Sequence, residues 1–167
     1  MELARASIPK TTQIQVFERD RWLCRWCLRP VVFPPAMKYL AQLLRASGEV
    51  EPLAYYHPNW RRDAAPLLDE LGASVDHVEA HSRGGKHEIS NFATICAKCN
   101  VKKGARAADE HLKRNPPHKV KGKHGEPMHW DGLARVFLLL VTEHQKTATA
   151  SDKQWAAALK GSWSAAR

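Results

Sequence analysis

The chain of 167 residues lacks any long apolar run. Its longest, VFLLLV at 136–141, falls far short of the roughly 20 residues that a membrane-spanning helix needs. The first residues, MELARASIPKTTQ, are mixed and polar, unlike a signal peptide. A soluble, intracellular (cytoplasmic) protein with no membrane partner is expected. Internal repeats and low-complexity tracts are missing too, which sets repeat architectures aside. Acid is in short supply: 17 Asp and Glu stand against 26 Lys and Arg, a formal net charge of +9. An excess of that sign attracts polyanions through phosphate contacts that ignore sequence, so nucleic acid is the first partner to consider. Cysteine is scarce as well, at four residues. In a reducing compartment these do not read as a disulfide framework.

The length suits one sizeable core, so a single domain over 1–167 is expected. Residues 11–22, TTQIQVFERDRW, read as a helix with Thr12 and Gln15 as a capping box. A second helix is expected from about 35 to 46, closed by Gly48, and a third near 61–71, with Pro66 as a kink and Gly72 as its end. Strand character follows from Ala73 to Val78, and after the turn-forming glycine pair Gly84–Gly85 come a short strand and a helix from about 99 to 113. The stretch 114–127, RNPPHKVKGKHGEP, has the composition of a basic linker. Two terminal helices lie beyond it, the second with Ser151 and Gln154 as its capping box. Trp22, Trp26, Trp130, Trp155 and Trp163 read as core or interface aromatics.

All four cysteines fall into two pairs, Cys24-x-x-Cys27 and Cys96-x-x-Cys99. Each pair can chelate from one turn, and four thiolates fill a tetrahedral zinc site. The gap from Cys27 to Cys96 is far longer than in small zinc ribbons. Such a zinc has no open position for substrate and is structural, so any catalysis must use another metal or none.

Between and beside the cysteine pairs stand Asp76, His77, Asn91 and Asn100. The stretches RDRWLCRWC, VDHVEAHSRGGKHEISNFATICAKCN and CNVKKG together resemble the HNH endonucleases in their four-cysteine, zinc-binding form. The resemblance runs from about Arg19 to Gly104. It implies an α+β, mainly helical protein whose core is the ββα-metal (HNH, His-Me finger) unit with a structural four-cysteine zinc site and flanking helices. The HNH core then covers about 11–113 with a helical insert at about 32–72, followed by the basic linker 114–127 and a C-terminal helical extension, 128–167.

The implied activity is metal-dependent hydrolysis of DNA phosphodiesters, leaving a 5′ phosphate and a 3′ hydroxyl. His77 has the intrinsic pKa of a general base near neutral pH. Asp76, its neighbour on a strand, points to the opposite face and can hold a divalent ion together with Asn100. That oxygen-rich, sparse donor set suits Mg²⁺ or Mn²⁺. Asn91 matches the middle letter of the family name, where it orients the histidine; by local chemistry alone it is equally a turn cap. Lys102, Lys103 and Arg106 are the expected nucleic-acid contacts, with Lys119, Lys121 and Lys123 of the linker tracking a backbone. His81 reads as a loop residue of uncertain use, in a loop with Ala80 where the family often has proline. His57, His87, His111, His118, His124, His129 and His144 match no family position and read as surface or phosphate-facing. The rival reading is a non-catalytic, zinc-stabilised nucleic-acid-binding module. Target preference and the choice between monomer and homodimer are not legible.

Overall fold

A computed structural model describes residues 7–48, 66–80, 83–104, 112–113 and 116–165. The first helix, α1 (Lys10–Arg19), buries Ile14, Val16 and Phe17. It starts earlier than Thr12: Pro9 is the N-cap and no side chain caps the helix, because the proline ring presets φ and removes one amide that would need a partner. The chain then turns through Arg21 and Trp22, both at positive φ (58° and 56°). This turn carries it to the first cysteine pair.

Helix α2 (Pro34–Ala46) opens on two prolines and buries Ala36, Met37, Tyr39 and Ala41. The described part of the helix expected at 61–71 is α3 (Pro66–Leu71), which places the expected kink at Pro66 on the edge of the described residues. Residues 61–65 lie outside the described residues. The two ends of the 32–72 insert meet. Val32 N donates to Leu71 O at 2.8 Å and Ala73 N donates to Val32 O at 2.8 Å. The main chain thus leaves and re-enters the core at one place.

Strand β1 (Ala73–His77) pairs antiparallel with β2 (Phe92–Cys96), and α4 (Ala97–Lys103) follows directly. The register sets Asp76 opposite Ala93 and His77 opposite Phe92. The connection is a long loop ending in a 3-10 turn at Ile89–Asn91, not a tight hairpin. Helix α4 begins at Ala97, two residues before the expected start. Its last residue precedes Gly104, at φ +50°; residues 105–111 lie outside the described residues.

The stretch expected to be linker forms a small hairpin of β3 (Val120–Lys121) and β4 (Pro127–Met128). Helices α5 (Ala134–Glu143) and α6 (Ala150–Ala165) complete the chain. The cap of α6 sits two residues before Ser151: Thr149 Oγ1 accepts from Asp152 N at 3.2 Å, and Asp152 Oδ2 accepts from Thr149 N at 2.9 Å. Threonine and aspartate three apart satisfy each other's amides there.

One buried cluster draws on α1, α2, both main strands, α4, α5 and α6. Phe33 is its hub. The rings of Trp22, Phe137 and Trp155 stand edge-on to it at 5.7, 5.4 and 5.2 Å. Truncating such a ring costs roughly 3–5 kcal/mol through lost transfer energy and the cavity left behind. The C-terminal helices are therefore built into the core that supports β1, β2 and α4.

Candidate active site and metal centre

The first cysteine turn is closed by Leu28 N donating to Cys24 O at 2.8 Å and Cys24 N donating to Arg29 O at 2.9 Å. Leu28 adopts φ +60° to do so. The second turn is the entry to α4, with Cys96 at its N-cap. Between the two turns Arg25 N donates to Thr94 O at 2.9 Å. The fully buried Asp20 locks the same junction. Its carboxylate accepts from Arg25 Nη1 at 2.8 Å, Arg19 Nε at 2.9 Å and Thr94 N at 2.8 Å.

As a result the ligand atoms of Cys24, Cys27, Cys96 and Cys99 all lie within 4.8 Å of one another, and the Cys27 and Cys96 sulfurs are 3.9 Å apart. A zinc ion with bonds of about 2.3 Å implies tetrahedral sulfur edges of about 3.8 Å. Burial, with the charge of Cys24 adding to it, pushes the Cys99 thiol up to about 12. Cys24 is raised by its hydrogen bond with Cys96 and by burial. Four neighbouring thiolates are thus unfavourable until a cation replaces their protons. The four cysteines are positioned to hold zinc.

On the α4 side of the ladder, Ser74 and Asp76 alternate onto one face. Asn100 and Lys103, one turn apart on α4, reach them. Asn100 Nδ2 donates to Ser74 Oγ at 3.5 Å, and Lys103 Nζ donates to Asp76 Oδ2 at 2.5 Å and to His77 O at 3.0 Å. Asp76 Oδ1 accepts from His77 N at 2.8 Å. Lys103, expected to face phosphate, is only 4% exposed. Its ammonium is held inward by the carboxylate. Lys102 is exposed, and Arg106 lies outside the described residues, as do His81, His57 and His111.

The opposite side carries His77. Its ring stands edge-on to Phe92 at 4.9 Å, and its Nε2 is 3.3 Å from Nδ1 of His87. His87 also packs against Phe92, at 5.1 Å. The hydrogen bonds of Asn91 pin the loop: Oδ1 accepts from Glu79 N at 2.9 Å, and Nδ2 donates to Glu79 O at 3.0 Å and Lys86 O at 2.8 Å. Glycine is required where this loop crosses itself, since a Cβ on Gly85 would lie 2.0 Å from Glu79 O.

Sequence reasoning missed His87 and Asp20. His87 has no local signal, because it meets His77 only after the loop folds back. Asp20 had one, standing between two arginines in ERDRW just before a cysteine pair.

The HNH endonuclease family model matches residues 66–106, the segment from α3 through α4. That match points to a nuclease and leaves the first cysteine pair outside it. No curated protein and no solved structure matches the chain. Among the described residues, no helix is long and apolar enough to cross a membrane.

Proposed function

We propose that the protein is a metal-dependent DNA endonuclease whose reactive centre is the β1–β2–α4 unit, a ββα-metal arrangement braced by a four-cysteine zinc site. The observation that carries this reading is the placement of Asp76 and Asn100 toward one side of β1 and of His77 on the other, inside the matched segment. Asp76 and Asn100 would hold the divalent ion. They offer a carboxylate and an amide oxygen, and both carboxylate oxygens keep a lone pair beyond the bonds already made to Lys103 and His77 N. When bound, Mg²⁺ or Mn²⁺ supplies charge neutralisation at the phosphate and at the departing oxygen.

The chain's own residues handle the proton. His77 takes the proton from water, and His87, whose Nδ1 lies 3.3 Å from His77 Nε2, holds the ring in place. The hydroxide attacks phosphorus, the bond to the 3′ oxygen breaks, and that oxygen takes up a proton. The products carry a 5′ phosphate and a 3′ hydroxyl. Asn91 serves by closing the loop that keeps His87 opposite His77. Exposed Lys102, with the +9 net charge, supplies phosphate attraction.

The test is plasmid cleavage with Mg²⁺ or Mn²⁺. The wild-type protein cuts, and His77→Ala is slower by roughly 10²–10⁴-fold. Equal cleavage by both proteins removes the assignment. A second reading, a non-catalytic nucleic-acid-binding module, is favoured by one observation: the Lys103 ammonium already neutralises Asp76. Binding of DNA without cleavage under every divalent metal tried selects that reading.

A further inference from the structure

A cavity of about 490 Å³ lies away from the cysteines, between the end of α1, the β3–β4 hairpin and the last helix. Its walls include the indoles of Trp22, Trp130 and Trp163 together with Glu18, Arg21 and Arg135. The aromatic wall is held in place. Trp130 Nε1 donates to Val31 O at 2.8 Å, and the Arg135 guanidinium lies 6.0 Å from the Trp163 ring centre. Gly132 permits the close packing behind it, since a Cβ there would sit 2.3 Å from the Trp22 ring.

Glu18 is the unusual member. One of its carboxylate oxygens, Oε2, accepts from the Ser162 hydroxyl. The other, Oε1, is shut off from solvent with no donor. A buried acceptor without a partner is costly; a rotation of the carboxylate that turns Oε1 into the cavity, where a ligand N–H meets it, removes the cost. The outer wall is basic: His118, Lys119 and His129 line it, and Lys121 and Lys123 stand on the same hairpin. Asp131 also lines the cavity, but its carboxylate is taken by Leu133 N, Arg135 N and the Arg135 guanidinium. Planar aromatic walls, one unpartnered carboxylate oxygen and a cationic rim are the complement of a nucleobase attached to its phosphates.

We propose that this cavity receives one unstacked nucleobase of the bound strand, with Glu18 accepting from its amine edge and the hairpin lysines holding the flanking phosphates. Guanine fits best, because it presents two adjacent N–H donors to a carboxylate. Thymine has its single N–H between two carbonyl oxygens, which a carboxylate repels. The site connects to the reactive centre through the end of α1. Arg19 donates to Ile89 O at 2.9 Å and to Phe92 O at 2.6 Å beside His77, while Arg21, two residues on, lines the cavity. Their Cα atoms are at most about 7.6 Å apart. The proposal rests on the reading that the protein acts on nucleic acid and adds the base that it selects.

The test uses the full chain carrying His77→Ala and a short fluorescein-labelled oligothymidylate strand, with or without a single central guanine, read by anisotropy. The guanine strand binds about tenfold more tightly. Glu18→Gln, which keeps the shape and can still accept from Ser162, brings that ratio down to about one. Arg135→Ala, at an exposed side chain, weakens both strands. Equal affinity of the unsubstituted pocket for the two strands overturns the proposal, as does a Glu18→Gln protein that keeps the preference. Tight binding of free dGMP that the guanine strand does not displace overturns the strand assignment. Plasmid cleavage by the protein with His77 intact is measured alongside. Cleavage without any base preference removes the pocket alone, and a base preference without cleavage in any metal removes the nuclease reading alone.

Discussion

The cysteine cluster and the Asp76–His77 centre share β2 and α4, yet they are built on opposite rules. At the cluster every donor comes from the protein, three of the four cysteines are buried, and the turns are closed by main-chain hydrogen bonds. Such a site is complete and can only be structural. At the other centre the donors are few and partly exposed, and the strongest, Asp76, is shared with an ammonium. A reactive site must leave positions for water and phosphate. The difference teaches that one sequence step, Cys99 to Asn100, passes from a group positioned to hold zinc to one that reaches Ser74 on the Asp76 side of the ladder.

Breaking the cluster has the largest expected effect. Cys96→Ser, or chelation of the wild-type protein, should release zinc and unfold β1, β2 and α4 together, because metal binding at such sites is worth on the order of 10 kcal/mol. Metal analysis with circular dichroism checks this; an unchanged melting curve in zinc-free protein contradicts it.

Next in size is the ion pair at the reactive centre. Asp76→Ala leaves the Lys103 charge buried and uncompensated, a loss of about 3–5 kcal/mol. Lys103→Met costs less, since Asp76 is 29% exposed and keeps the His77 amide. Chemical denaturation of the two variants ranks them, and the reverse order would show that the pair is not held as described.

His87→Ala should slow cleavage roughly 10-fold through kcat, with KM and melting temperature held. His87 is exposed, and in the proposed mechanism it orients His77, so its loss affects turnover and not stability. A loss confined to KM would make His87 a substrate contact instead. The smallest effect belongs to Lys102→Ala, which should weaken DNA binding modestly and reduce the salt-dependence slope by about one. Titrations at several salt concentrations read it, and an unchanged slope removes Lys102 from the interface.

The legible parts were those set by short-range pattern. Helices α2, α5 and α6 follow apolar periodicity, and β1 and β2 appear within a residue or two of where strand character is visible. Helix starts were less legible. Pro9 and Thr149 took the cap positions from Thr12 and Ser151, because a cap depends on which backbone amide is left unpaired and not on motif spacing alone. The β3–β4 hairpin was hidden by a composition rich in Pro, Gly and Lys, which flexible linkers share. Asn91 reads equally as a catalytic residue and as a turn cap from its neighbours; its hydrogen bonds are those of a loop clamp.

By itself the sequence determined the donor chemistry: two chelating cysteine turns, an acid and an imidazole side by side on a strand, and a cationic surface. These depend on residue type and on separations of a few positions, which local geometry converts directly into direction. Only the tertiary structure decided which distant groups meet. It turned Lys103 inward onto Asp76, set His87 against His77 and assembled a tryptophan-lined cavity from both ends of the chain. Those pairings come from how the elements pack, and no spacing along the chain encodes them.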